Sequence, residues 1–316
     1  NDIARERSIQ LDMEGYEKCM AKQRQLAREA SRFGGRSAST KTIDGFTKFI
    51  GHKDTESEAT ICAILKNDEF IERCQADDEV TIVLDRTPFY AESGGQIGDS
   101  GSIQLNGNEF QVTDCRKADD HHLHFGKVVM GELRLGDSIK SSVDKQKRLA
   151  VSNNHSTTHL LHAALRTILG AHVNQRGSLV GRDRLRFDFS HNSQVSMEQI
   201  RDIEQIINEH VIANTQVETS VMSLTEAKEC GAMALFGEKY SDEVRVVRIG
   251  GEFSVELCGG THVSRTGQIG PVRICSESGV ASGVRRIEAI TGFQAFAHFD
   301  KSEGILGEVS GVLKTS

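Results

Sequence analysis

The stretch Asn153-Asn154-His155-Ser156-Thr157-Thr158-His159-Leu160-Leu161-His162-Ala163-Ala164-Leu165 constrains this chain more than any other. Leu160, Leu161, Ala164, Leu165 and Ile168 recur at the spacing of a buried helical stripe, and Gly170 supplies a stop. On such a helix His155 and His159 share one face, a turn apart. Far along the chain lies Cys258-Gly259-Gly260-Thr261-His262. His-x3-His with Cys-x3-His makes two short pairs of soft or borderline donors, a set that suits tetrahedral zinc. Either pair alone is a weak signal. Together they demand a fold that brings one helix face to one distant loop, with one zinc ion expected on His155, His159, Cys258 and His262.

Composition narrows the classes. A chain of 316 residues can bury two domain cores. It shows neither a run of 18 apolar residues nor a charged-then-apolar leader, so a soluble cytoplasmic protein with no membrane partner is expected. Seven scattered cysteines, an odd number, argue for a reducing compartment and against a disulfide framework. Those outside the cluster read as small buried or incidental residues. A net charge of −7 excludes a globally basic nucleic-acid binder, so RNA contact must come from local patches.

In chain order, residues 3 to about 33 read as a helix ended by Gly34-Gly35, with a basic ridge of Lys18, Lys22, Arg24, Arg28, Arg32 and Arg36. Solvated face and phosphate contact are both open for that ridge. Residues 37–57 read as a linker. Val80–Leu84 reads as a strand, and Asn106-Gly107 between two alternating runs predicts a two-residue hairpin. Several short strands with glycine turns suggest a small barrel to about residue 145. Gly94-Gly95-Gln96 falls between strands, either as a tight turn or as a loop whose glycines allow close backbone approach. His121-His122-Leu123-His124 reads as a solvated loop after two aspartates. Arg182, Arg184 and Arg186 alternate, which predicts one face of a strand, either tracking phosphates or simply solvated. Capping boxes at Ser196 and Ser223 start two helices, and strands at Val244–Ile249 and Ser254–Leu257 deliver Cys258 at a strand end. The fold class expected is α+β: an N-terminal helix, a small barrel-like domain, then an α+β domain carrying the metal site.

His155-x3-His159 with Cys258-Gly-Gly-Thr-His262 resembles the editing domain of alanyl-tRNA synthetases. Further stretches match in the family's order from about residue 10 to 292. They are Thr87–Gln96, His172–Val180, Ala232–Tyr240 and Gly283-Val284-Arg285-Arg286-Ile287-Glu288. Asp12–Glu17 and Gln23–Ala30 resemble the last helix of the synthetase's tRNA-recognition region, a piece absent from free-standing editing proteins. The resemblance implies a fragment of a bacterial-type synthetase without the aminoacylation core. Its parts are 1–41 (end of the tRNA-recognition region and linker), 42–145 (barrel-like domain), 146–292 (editing, or second additional, domain) and 293–316. The last is a helix leading towards a further C-terminal domain.

The activity implied is hydrolysis of the ester joining serine or glycine to alanine tRNA. A pocket made for alanine rejects serine by only about 10², so a second site is needed. Thr158 and Gln175, with Cys258, are the catalytic candidates. The Thr158 hydroxyl either receives the serine side chain or bonds its own helix, and it addresses serine, not glycine. Gln175 matches a position beside the editing pocket, fit to orient substrate or water. Gly94, Gly95, Gln96, Arg182, Arg184, Arg186, Arg285 and Arg286 are the candidates for substrate and tRNA contact. Zinc would either activate water or anchor the charged 3′ end. The related threonyl-tRNA synthetase domain carries a comparable His/Cys set and works without metal. The partners implied are mischarged alanine tRNA and the rest of the synthetase. The rival readings are a free-standing trans-editing deacylase and a zinc-stabilised tRNA-binding fragment without catalysis.

Overall fold

Six antiparallel strands build the first half of the computed structural model, which describes residues 12, 15, 18–20, 43, 45–234 and 242–313. They are β1 (Glu56–Lys66), β2 (Glu79–Leu84), β3 (Gly101–Leu105), β4 (Asn108–Ala118), β5 (His121–Met130) and β6 (Ser138–Val143). Their order is β6-β3-β4-β5-β2-β1, and pairing of β6 with β1 closes the barrel. Closure leaves no long edge strand unpaired. In β1 the buried residues are Ala59, Ile61, Ala63 and Ile64. The register against β2 shifts between Ile61 and Ala63, and that bulge moves the inward phase from Ile61 to Ile64, leaving Ala63 buried on the other face. Ile61, Ile82, Ile103, Phe110 and Val128 meet in the barrel core, each worth about 1.5–3 kcal/mol of burial. The hairpin forms where Asn-Gly predicted it: Leu105 faces Asn108, with Asn106 at φ 48° and Gly107 at φ 86°.

Two expectations fail here. The His121–His124 tract is a strand start, not a solvated loop: His122 and His124 alternate into the barrel. There His124 bonds the Ile82 carbonyl at 2.9 Å and the Thr87 hydroxyl at 2.8 Å, and His122 bonds the Phe89 carbonyl at 3.0 Å. Histidines satisfied in this way can be buried, whatever their hydropathy. The linker ends earlier than expected, because Lys48–Phe49 already pairs in parallel with Arg86–Thr87. The helix read over residues 3–33, with Arg24, Arg28 and Arg32, lies almost wholly outside the described residues, as does most of Ala232–Tyr240.

The second half begins with the 25-residue helix α1 (Lys145–Leu169), whose N-cap Asp144 accepts the backbone N–H groups of Gln146 and Lys147. Gly170, at φ 111°, ends it. Then follow β7 (Gln175–Val180), β8 (Leu185–Ser190), α2 (Met197–Ile212), β9 (Glu218–Ser223), α3 (Leu224–Glu229), β10 (Glu243–Ile249), β11 (Ser254–Leu257), β12 (Val272–Ala281), β13 (Val284–Thr291) and α4 (Gly292–Leu313). Capping boxes at Ser196 and Ser223 open α2 and α3. The antiparallel sheets run β7-β8-β13-β12 and β9-β10-β11. Leu160, Leu161, Ala164 and Leu165 of α1 share a core with Ile203 and Ile207 of α2 and with Phe187 and Phe189 of β8. Among the described residues no helix is long and apolar enough to cross a membrane.

Arg148, in the first turns of α1, joins the two halves. It is 7% exposed and grips Asp99 with Nε at 2.9 and 3.0 Å and with Nη2. Its fork also donates to the carbonyls of Gly51 at 2.7 Å and Pro88 at 2.8 Å. Hydrogen bonds on several sides offset the desolvation of such a buried pair, and removing one partner costs several kcal/mol.

Candidate metal centre

The middle of α1 is polar yet buried, from Ser152 to His159. A polar run survives burial where most of its groups find partners, and here Asn153 Oδ1 and His159 Nδ1 are the exceptions. Asn154 donates to the Gly181 carbonyl at 2.8 Å and accepts from Thr291 Oγ1 at 2.8 Å. Thr157 and Thr158 each donate to a carbonyl four residues back, at 2.8 Å. These bonds seat the helix so that one face meets the loop after β11.

His155, His159, Cys258 and His262 converge there, their donor atoms all within 4.8 Å of one another. Nε2 of His155 and Nε2 of His262 lie 3.4 and 3.3 Å from Cys258 Sγ. Around tetrahedral zinc, the usual bond lengths put nitrogen and sulfur about 3.6 Å apart and two nitrogens about 3.4 Å apart. The donor set and its spacing therefore fit one zinc-sized ion after a contraction of at most about 1.2–1.4 Å at the widest pair. Each imidazole also has an outer partner at Nδ1: Gln96 Oε1 at 2.7 Å from His155, Ser156 Oγ at 3.2 Å from His262, and Glu256 Oε2 at 3.2 Å from His159. The last pair lacks the alignment of a hydrogen bond. Such partners orient histidine ligands.

The electrostatics favour a cation. Burial pushes the Cys258 thiol up, but His155, His262 and His159 around it hold it well below its ordinary value. Burial drives His262 down to about 3, against the pull of Cys258. Burial also opposes charge on Glu256, yet His159 and His162 keep it a carboxylate, and Glu256 in turn raises His159. A thiolate among three imidazoles is an arrangement that a metal ion completes, with His159 giving up the proton that Glu256 and Cys258 hold on it against burial.

A cavity of about 430 Å³ opens onto the cluster, lined by His155, Thr158, His159, Gln175, Arg245 and Cys258 among others. The barrel contributes Tyr90, Ser93, Gly94 and Lys117 to its wall. Thr158 and Gln175 are thus brought to the cluster. The Thr158 hydroxyl proton is committed to the Asn154 carbonyl.

The other expected contacts fare differently. Gly94 lines the cavity, while Gly95 closes onto β7: a Cβ there would stand 2.5 Å from the Ser178 carbonyl oxygen. Gln96 is wholly buried rather than open to a ligand. Arg182 and Arg184 do not share a strand face with Arg186; they sit in the four-residue turn between Val180 and Leu185, closed by Gly181 N–H to the Arg184 carbonyl at 3.1 Å. Arg186 alone lies in β8, half-buried. Arg285 and Arg286 form bidentate pairs with Glu277 and Asp188, at 2.5–2.6 and 2.6–2.7 Å. Cross-strand carboxylates thus absorb the charge expected to meet phosphate.

Two residues escaped the sequence reading. Glu256 stands two before Cys258, so strand alternation already put both on one side; its Oε1 also accepts from Ser254 Oγ at 3.1 Å and lies 3.2 Å from His162 Nδ1. Arg245, at the matching phase of β10, donates to the carbonyls of Cys258 at 2.8 Å and Gly260 at 2.9 Å, clamping the ligand loop.

Residues 244–288 match the model of the threonyl and alanyl tRNA synthetase second additional domain, and residues 1–147 that of the class II (A) tRNA synthetases. The chain belongs to the alanyl-tRNA synthetase family. It is 51% identical over 316 residues to an alanine–tRNA ligase of Saccharophagus degradans, covering all of this chain and 36% of that protein. Alanine–tRNA ligases of Acetivibrio thermocellus (48% over 322 residues) and Hydrogenovibrio crunogenus (51% over 314 residues) match 100% and 99% of the chain. The chain spans 36% of the length of each of these relatives, a piece that carries the second additional domain.

Proposed function

We propose that this chain is the proofreading part of an alanyl-tRNA synthetase, hydrolysing the ester of alanine tRNA mischarged with serine or glycine in the cytoplasm. The observation that carries the reading is a His3Cys cluster at the base of a cavity of about 430 Å³, a size within the usual small-substrate range of about 300–1,000 Å³. A zinc ion held by these four residues would supply positive charge at the base of the cavity, and with all four donors on the metal a positioning or structural role would be favoured over activating water.

The chain's own groups have separable tasks. Thr158, its proton held by Asn154, offers oxygen lone pairs to the cavity and so accepts from a serine hydroxyl. Alanine brings no donor, so a site built for that hydrogen bond holds it less well. Gln175, on the same wall, is placed to orient the ester or an attacking water. Lys117, from the barrel, offers a cation to the tRNA backbone at the cavity wall.

The test is deacylation of seryl- and alanyl-tRNA(Ala) by catalytic amounts of the purified chain. Serine should be released and alanine spared. A folded chain that leaves both esters intact would remove the reading and favour the non-catalytic RNA-binding one.

A further inference from the structure

Gln96 reaches from the barrel into the metal centre. It is fully buried, and its carboxamide contacts both metal-bearing segments at once. Oε1 accepts the backbone N–H of Thr261 at 2.9 Å, and Nε2 donates to Thr261 Oγ1 at 2.9 Å. The same Oε1 lies 2.7 Å from Nδ1 of His155.

These contacts fix protons. A backbone N–H can only donate, so the atom facing Thr261 N must be the oxygen, and the amide has one orientation. An amide oxygen can only accept, so Nδ1 of His155 carries a proton, which in the neutral ring, the form that binds metal, is the only one. Nε2 is then the bare nitrogen, and it faces Cys258 Sγ at 3.4 Å. Gly260 leaves the necessary room: a Cβ there would stand 2.4 Å from His155 Nδ1 and 2.8 Å from Gln96 Oε1.

We propose that Gln96 is a positioning residue for the metal ion, a barrel side chain that holds His155 in the tautomer whose Nε2 binds metal. The barrel is then part of the metal centre and not only its neighbour. The proposal rests on reading the cluster as a metal site, as the proposed function does. Outer partners of this kind change metal affinity by about 10–100-fold when removed.

The experiment measures zinc affinity by chelator competition on the full 316-residue chain and on two variants. Gln96→Met keeps the shape and removes both polar atoms; Gln96→Glu keeps the acceptors for His155 and Thr261. We expect Gln96→Met to bind zinc about 10–100-fold more weakly and Gln96→Glu to stay within a few-fold of the parent. Nitrogen-15 NMR of the histidine rings supplies a readout that simple loosening would not move: in the parent, Nδ1 of His155 should be protonated and Nε2 metal-bound. Parent-like zinc affinity in Gln96→Met, equal loss in Gln96→Glu, zinc on Nδ1 of His155, or no zinc in the parent overturns the proposal. Should Gln96→Met fail to fold, the parent spectrum and Gln96→Glu still decide. A parent that binds zinc as described but leaves seryl-tRNA intact would defeat the proposed function alone.

Discussion

Thr158 and His124 are both buried polar residues, and different partners give them different work. The Thr158 hydroxyl has spent its proton on Asn154, so its remaining capacity is to accept from the cavity. Thr158→Val keeps the shape and removes that acceptor, a loss of about 1–1.5 kcal/mol. Seryl-tRNA deacylation (kcat/KM) should drop about tenfold, while Thr158→Ser stays near the parent. Equal rates in all three proteins would assign the hydroxyl to the helix alone. His124, with no exposed surface, is pushed by burial down to about 4. Its folded value lies below the ordinary 6.5, so on acidification the unfolded chain takes up the proton first. The stability is whole above pH 6.5 and drains away towards pH 4, at most about 3 kcal/mol. Urea unfolding of the parent and of His124→Gln between pH 7 and 4 checks this, since the variant should lose that part of the slope. An unchanged slope would place the acid sensitivity elsewhere. Both residues show what sequence leaves out. The four metal-site candidates were legible because residue type and spacing carry the chemistry, whereas Glu256 and Arg245 act through partners that only the fold supplies.

At the scale of elements, local chemistry was the readable part. Asn106-Gly107 demanded its turn, the Ser196 and Ser223 boxes opened their helices, and β10 and β11 lie where alternation put them. Arg182, Arg184 and Arg186 misled because alternation continues in sequence through a turn that breaks the strand. The His121–His124 tract misled because its solvation depended on barrel closure, a non-local event. The contact between barrel and α1 has no sequence signal either, since Arg148 and Asp99 meet only in the fold. Asp99→Asn would leave the Arg148 guanidinium buried without a counter-charge, and we expect it to cost about 3–5 kcal/mol in urea unfolding at pH 7. A cost below about 1 kcal/mol would mean that water reaches Arg148 and the pair is no clasp.

Across residues 45–66 and 70–313, a closed barrel and an α+β body share one cluster. α1 supplies two ligands, the loop after β11 supplies two, and the barrel supplies Gln96 and part of the cavity wall. Such a division explains why the barrel loop carries glycines, since Gly95 must close on β7 before Gln96 can reach His155. The central claim is that this cluster holds zinc and that the cavity beside it edits tRNA. Titrating zinc into chelator-treated protein while following hydrolysis of seryl-tRNA(Ala) tests both at once. The account predicts no hydrolysis without zinc, full recovery at one zinc per chain, and no recovery in a folded Cys258→Ala protein. Parent-rate hydrolysis by the metal-free chain, or by folded Cys258→Ala, would contradict it.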